Sequence, residues 1–150
     1  MPFAIKSTLQ AISDYIQKSG YVQKSTIGEP KAPPSEPVSA AVFLDSVAVA
    51  ALTLNGTIEV HTVTLRLYMD MLGDPTEDIE FGMAEVVSNI SSDLLGEYDL
   101  GASIRNVDAA GMHGSPLRAT WGYVDVGGKM FRIVDMSIPL IVDDSATLVA

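Results

Sequence analysis

Residues 39–71, with the sequence SAAVFLDSVAVAALTLNGTIEVHTVTLRLYMDM, decide the fold of this chain. Apolar and β-branched residues dominate both halves of the stretch, which favours extended strands at residues 39–54 and 57–71. Asn55 and Gly56 separate the two, and an Asn-Gly pair between apolar runs is typical of a tight hairpin turn. The stretch therefore predicts a long antiparallel β-hairpin.

The second strand of this hairpin changes the phase of its apolar side chains along its length. Side chains of a strand alternate between two faces, so apolar residues on one face keep the same parity. Here they occupy even positions first and odd positions afterwards: Ile58 and Val60, then Val63, Leu65, Leu67 and Met69. The shift predicts a β-bulge or a change of covered face near His61 and Thr62.

An amphipathic helix is predicted before the hairpin. Apolar residues recur there mostly at spacings of three and four, namely Phe3, Ile5, Leu9, Ile12 and Ile16. Gly20 follows and is a natural end for this helix, and residues 21–27 can then form a short strand.

A second helix is predicted after the hairpin. Asp74 suits its N-cap, Pro75 its first position, and Glu77 completes an arrangement like a capping box. One apolar face follows, formed by Ile79, Met83, Val86, Val87, Ile90 and Leu94. Gly96 marks the end of the helix.

A second hairpin is predicted near the end of the sequence, where residues 117–126 and 129–140 flank Gly127 and Gly128. Its last strand places Met130, Arg132, Val134, Met136 and Ile138 on one face, opposite Phe131, Ile133 and Asp135. Pro139 indicates a sheet edge or a strand end. We also expect a short strand within residues 104–108 and a flexible tail at residues 143–150.

These elements predict an α+β fold in one domain that spans residues 1–150. Tight turns join the strands in pairs, and the helices are inserted between the pairs rather than alternating with single strands. We therefore expect a mainly antiparallel sheet of two hairpins, with two helices packed on one face.

The segment GEPKAPPSEP, residues 28–37, contains four prolines in ten residues. Such a segment cannot lie inside a helix or a central strand, so it predicts an extended loop. Loops of this length are usually functional or mobile. We therefore consider it a candidate docking loop for a partner, through Glu29, Pro30, Lys31, Pro33, Pro34 and Glu36.

Composition excludes several classes of function. The net charge is -10, from 19 acidic and 9 basic residues, so specific binding to nucleic acid is not expected. Cysteine is absent, which removes disulfides, thiolate metal sites and cysteine catalysis. No apolar run is long enough for a membrane span or a signal peptide. We expect a protein that works inside a cell or in a particle assembled in the cytoplasm.

The sequence carries no catalytic signature. His61 and His113 lie far apart and match no zinc motif, and we expect His61 at a surface or an interface. No phosphate-binding loop, dinucleotide fingerprint or serine-nucleophile motif occurs. The prediction is a protein that is not an enzyme, with no catalytic residue, no cofactor and no metal. Trp121, the single tryptophan, is expected in the core rather than at an interface.

Read in order, the chain resembles the tail terminator (tail-completion) family of siphophages, particularly those of phages that infect actinobacteria. The resemblance lies in the first amphipathic helix, the proline-rich loop that leads into SAAVFLDSVAVA, the strand TIEVHTVTLRLYMDML, the helix with an acidic start and the hairpin GYVDVGGKMFRIVDMSIPLIVDD. Together these segments cover most of the chain.

The resemblance implies a virion protein at the junction of tail and neck. Members of the family form hexameric rings that cap the tail tube, stop its polymerisation and bind a head-completion protein on the other side. Genomic DNA would pass through the lumen without specific binding. Alternatives are another neck component, such as a stopper or an adaptor, and a small acidic binding module.

Ring closure needs two different patches on each subunit, and a free strand edge can supply one of them. The strands at residues 57–71 and 129–140 are the predicted candidates for this edge. The predicted intersubunit residues are accordingly Val63, Leu65, Leu67, Met69, Phe131 and Ile133.

Overall fold

A computed structural model describes residues 5–35, 37–53, 56–71, 75–96, 106–107, 111–112, 114 and 116–144. In this part of the chain the order of elements is α1 (Ile5–Lys18), β1 (Lys24–Ile27), β2 (Val38–Thr53), β3 (Gly56–Asp70), α2 (Thr76–Gly96), β4 (Asn106–Val107), β5 (Arg118–Val126) and β6 (Lys129–Asp144). The predicted α+β class is confirmed.

The strands form a single sheet with the order β1-β2-β3-β6, and β4 and β5 both pair with the remaining edge of β6. All these pairs are antiparallel except β1 with β2, which is parallel. The two predicted hairpins are β2–β3 and β5–β6. The parallel pair was not predicted.

Both helices pack on the same face of the sheet, as predicted, and we call it the helix face. It carries the side chains of Val63, Leu65 and Leu67 in β3. The apolar stripe of α1 (Leu9, Ile12 and Ile16) and that of α2 (Ile79, Met83, Val87, Ile90 and Leu94) cover them. Each fully buried aliphatic side chain contributes about 1.5–3 kcal/mol, so this layer supplies most of the stability.

The opposite face, which we call the open face, has a smaller apolar cluster of Ala41, Tyr68, Phe131 and Ile133. The rings of Tyr68 and Phe131 meet edge to face, with centroids 6.0 Å apart. Phe43, Val124 and Val126 pack around this cluster. The prediction that Phe131 and Ile133 lie on the face opposite Val134 and Met136 is therefore confirmed.

The predicted irregularity near His61 and Thr62 lies in the neighbouring strand. β3 pairs with β6 without any shift in register, whereas β2 has shifts between Leu44 and Ser46 and between Val49 and Ala51. The extra residue at the first shift is Asp45, opposite the Thr62–Val63 step. β3 itself does not change its covered face, because it is buried on both: His61 and Leu65 on the helix face, Val60 and Tyr68 on the opposite one.

Several predicted ends differ in the structure. The second hairpin does turn where it was predicted, since Gly127 and Gly128 have φ values of +58° and +87°, as a tight hairpin turn requires. The first hairpin closes at the pair Thr53 and Gly56, so Gly56 belongs to the strand. β6 continues past Pro139 to Asp144, which corrects both the predicted strand end and the start of the predicted tail. Pro139 lies between the stretches of β6 that pair with β5 and with β4.

Other predictions fall outside the described residues. These are the apolar contribution of Phe3, the N-cap at Asp74 and the tail at residues 145–150. α2 begins at Thr76, one residue after the predicted first position at Pro75, and ends at Gly96 as predicted. Gly20, two residues after the end of α1, has a φ of +83°, and its N–H donates a hydrogen bond to the carbonyl of Gln17.

Candidate functional site

The six residues predicted to form an intersubunit interface are mostly buried inside the fold. Val63, Leu65 and Leu67 have no exposed surface, and Phe131 and Ile133 belong to the open-face cluster. Met69 is half-buried on the helix face. β3 pairs with β2 and β6, and β6 pairs with β3 and with β4 and β5, so neither strand offers a free edge. This prediction is corrected: the apolar pattern of these strands belongs to the core.

The proline-rich loop lies against the open face. The carboxylate of Glu29 is 2.7 Å from Nη1 of Arg66 in β3. Pro33 lies against the β5–β6 turn, since a Cβ atom placed on Gly127 would be 3.0 Å from Cδ of Pro33.

The other predicted docking residues of the loop differ in exposure. Pro30 and Pro34 are half-buried, Lys31 and Pro33 are exposed, and Glu36 lies outside the described residues. The loop is therefore held near its start and at its middle, while part of it remains accessible.

Arg66 connects the loop to the middle of the sheet. Its guanidinium donates two hydrogen bonds to Asp135 of β6, with distances of 2.7 Å and 3.0 Å, besides the one to Glu29. It also lies over the ring of Phe43, 5.6 Å from the centroid. The hydrogen bonds with Asp135 raise the pKa of Arg66 above its usual value, so this group is always charged.

A cavity of about 420 Å³ lies between the loop and the sheet. Its walls include the proline loop, Lys24, Ser39 and Tyr68. Ser39 is 5% exposed, and its hydroxyl forms no hydrogen bond with a described residue. Burial raises the pKa of Tyr68, and the nearby Arg66 opposes this shift in part. Tyr68 is therefore a neutral phenol at physiological pH.

The second half of β2 carries three exposed apolar side chains on the helix face. These are Leu44, Val47 and Val49, which face Val63, His61 and Glu59 across the ladder. Val49 is 61% exposed. β1 pairs only with residues 39–42 of β2, so within the described residues the outer edge of β2 has no strand partner beyond Val42. We call these three residues the arm patch.

The bulge at Asp45 creates the arm patch. Without an extra residue, Val47 and Val49 would share the parity of Phe43 and would lie on the open face. With Asp45 inserted, both valines turn to the helix face and align with Leu44. The bulge thus collects apolar side chains on one side of the strand.

The arm patch is exposed because the helices are short compared with the strands. α1 has 14 residues and β2 has 16, which correspond to lengths of about 21 Å and about 50 Å. A helix of this length cannot cover the whole strand. The sequence contained this signal in the lengths of its predicted elements, but the predicted interface rested on a free strand edge at residues 57–71 or 129–140.

A second exposed apolar patch lies on the helix face of the β5–β6 hairpin. Trp121, Tyr123 and Met130 are 38%, 58% and 48% exposed, and their register places them side by side. The guanidinium of Arg132 lies 4.5 Å from the ring centroid of Tyr123 and is held by Glu80 of α2. We call Trp121, Tyr123 and Met130 the aromatic patch. The prediction that Trp121 lies in the core is wrong, because α2 leaves this strand partly uncovered.

The two patches lie on one face of the sheet at opposite corners. Val47 is level with Leu140 of β6, and Trp121 is level with Val134 of the same strand. Three strand spacings and six residues along β6 separate them, which amounts to roughly 25 Å. They are therefore too far apart to contact each other within one subunit.

Several classes of site receive no support from the described residues. No three of their His, Asp or Glu side chains are grouped to hold a metal ion. His61, expected at a surface or an interface, is already buried within the chain, with Nε2 3.4 Å from a carboxylate oxygen of Glu59. His113 lies outside the described residues. Neither α1 nor α2 is both long enough and apolar enough to cross a bilayer.

No protein-family model matches the chain, and no curated protein sequence matches it. What the chain does must therefore be inferred from its own residues and their arrangement.

Proposed function

We propose that this chain is a structural subunit of a phage tail, a tail terminator that assembles into a ring, most simply a hexamer. The observation that carries the proposal is the pair of exposed apolar patches at opposite corners of one face. The order of elements along the chain, which resembles that of siphophage tail terminators, supplies the biological setting.

Two different patches on one subunit support a ring rather than a two-fold dimer. When the arm patch of one copy contacts the aromatic patch of the next, the contact is heterologous and can repeat around a closed ring. Exposed tryptophan and tyrosine are the side chains most enriched at the centres of protein interfaces. The valines and leucine of the arm patch offer them an apolar counterpart that is otherwise left in water.

The proposed partners are the tail tube protein on one side of the ring and a head-completion protein on the other. The exposed part of the proline loop is a candidate contact for one of them, because prolines reduce the entropy that is lost when a loop becomes ordered. The net charge of -10 suits a lumen through which DNA passes without binding.

Electron microscopy and mass photometry test this proposal on the purified protein, alone and mixed with tail tubes from the same source. We expect six-fold rings, or additional density at one end of each tube. A protein that stays monomeric and leaves both tube ends bare would contradict the proposal. Rings that form but ignore tube ends would indicate a different position in the neck.

A further inference from the structure

The cavity beneath the proline loop has a buried polar group in its wall. Ser39 lies on the open face, and its register partners are Lys24 of β1 and Tyr68 of β3. Its hydroxyl is buried and forms no hydrogen bond with any described residue. A buried hydroxyl without a partner destabilises the folded state, so its presence beside a cavity requires an explanation.

Two cations lie at the same cavity. Lys24 of β1 and Lys31 of the loop are both among the residues that line it. Neither ammonium forms an ion pair with a described residue, whereas Glu29, the acidic residue of this wall, is occupied by Arg66. Among the described residues the cavity therefore has cationic groups in excess, although the chain as a whole is strongly acidic.

The remaining walls are largely apolar. Pro33, Pro34 and the ring of Tyr68 line the space, and aliphatic and ring carbons of this kind favour hydrocarbon over water. Such a site combines an apolar surface with a few convergent polar groups, which is typical of sites for small molecules. Its volume of about 420 Å³ accommodates a short aliphatic chain together with its polar end.

We propose that this cavity binds a carboxylate with a short aliphatic body, in which the carboxylate accepts a hydrogen bond from the Ser39 hydroxyl and is neutralised by Lys24 and Lys31. The same chemistry occurs in a free aliphatic acid and at the C-terminal leucine or valine of a partner protein. The site is on the open face, whereas both assembly patches are on the helix face. The proposal is thus independent of ring formation.

The test is an NMR titration of the full chain that follows the backbone amides of residues 24–35 and 39. The probes are 4-methylpentanoate, its neutral counterpart 4-methylpentanamide, and the peptide acetyl-Gly-Leu with a free C-terminus. We expect saturable shifts with the acid and none with the amide. Tighter binding of the peptide would assign the site to a partner's C-terminus, and tighter binding of the free acid to a small molecule. Equal binding of acid and amide, or no binding of either acidic probe, would overturn the proposal.

Variants locate the contact within the cavity. Lys24→Gln and Lys31→Gln should each weaken binding by about two- to fivefold, as expected for exposed charges. Ser39→Ala should weaken it by about fivefold while leaving the free protein at least as stable, because the unused hydroxyl is removed. The matched controls are Lys18→Gln on α1 and Thr8→Val in the core, and both should bind as the natural chain does. Unchanged binding in Ser39→Ala, in a variant that folds, would also contradict the proposal.

Discussion

Arg66 of β3 and Asp135 of β6 are joined by two hydrogen bonds on the open face, 2.7 Å from Nε to Oδ1 and 3.0 Å from Nη2 to Oδ2. A third bond from the same guanidinium reaches Glu29 in the proline loop. One side chain thus links two central strands to the segment that crosses them. Paired guanidinium and carboxylate groups of this geometry are stronger than single hydrogen bonds.

We expect Arg66→Met to lower the free energy of unfolding by about 1–2 kcal/mol, because it leaves the partly buried carboxylate of Asp135 without its cation. Chemical denaturation measures this loss. Glu29→Gln is the control, since Glu29 is mostly exposed, and it should cost well under about 1 kcal/mol. Equal effects of the two substitutions would show that the Asp135 contact contributes little.

Tyr68 should make the protein sensitive to alkaline pH. Burial raises its pKa in the folded state above the ordinary value of 10.0, so the folded state holds this proton more tightly than the unfolded state. The stability that protonated Tyr68 contributes is complete below about pH 10 and is lost as the pH rises through the pKa of the folded state. The free energy of unfolding, measured with urea between about pH 8 and pH 11, should therefore fall more steeply with pH for the natural chain than for Tyr68→Phe. Tyr123→Phe, at a largely exposed position, should follow the natural profile; identical profiles for all three proteins would contradict this role.

The contact between Pro33 and Gly127 can be measured as a coupling. A Cβ on Gly127 would lie 3.0 Å from Cδ and 3.2 Å from Cγ of Pro33. Gly127→Ala should therefore lower the free energy of unfolding by about 1 kcal/mol because of the positive φ, and by a further amount because the new Cβ displaces the loop. In a Pro33→Ala background both atoms are absent, and only the first cost should remain. The same loss in both backgrounds would show that the loop does not press against this turn.

Assembly and folding should respond to different residues of the same hairpin. Leu65 is fully buried and Val49 is largely exposed, although both lie on the helix face. Leu65→Lys should unfold the chain, because it buries a charge without a partner. Val49→Lys should preserve the fold, as seen by circular dichroism, and abolish ring formation by placing a charge in the contact.

The opposite patch provides the complementary test of assembly. Tyr123→Ser should leave the fold intact and prevent ring formation, since it removes an exposed aromatic side chain from the aromatic patch. Thr120→Lys, on the open face of the same strand, is the control and should assemble normally. Intact rings in both Val49→Lys and Tyr123→Ser would show that the patches are not the contact between subunits.

Local patterns were sufficient to predict the elements and their faces. The glycines at 127 and 128 placed the second hairpin correctly because a turn with two positive φ angles depends on a few adjacent residues. The apolar stripe of α2 indicated its buried side because the helical period is fixed. These features require no knowledge of distant segments.

The candidate surfaces could not be predicted in the same way. Periodicity identifies which side chains share a face, but not which of them another element covers, and so core residues such as Leu65 were mistaken for an interface. Trp121 and Val47 are exposed because neither helix covers them fully, which is a property of the packed structure. The parallel pairing of β1 with β2 depends in turn on the path of the proline loop.

The long ladders that β3 forms with β2 and β6 have a mechanical consequence. If neighbouring subunits pull on the arm patch and the aromatic patch, the tension crosses β2, β3, β6 and β5 along a diagonal of the sheet. A component of that force runs parallel to the strands and shears them, so many hydrogen bonds resist together instead of opening one after another. A sheet loaded in this direction is stiff, so a ring of the proposed kind would keep its diameter under load.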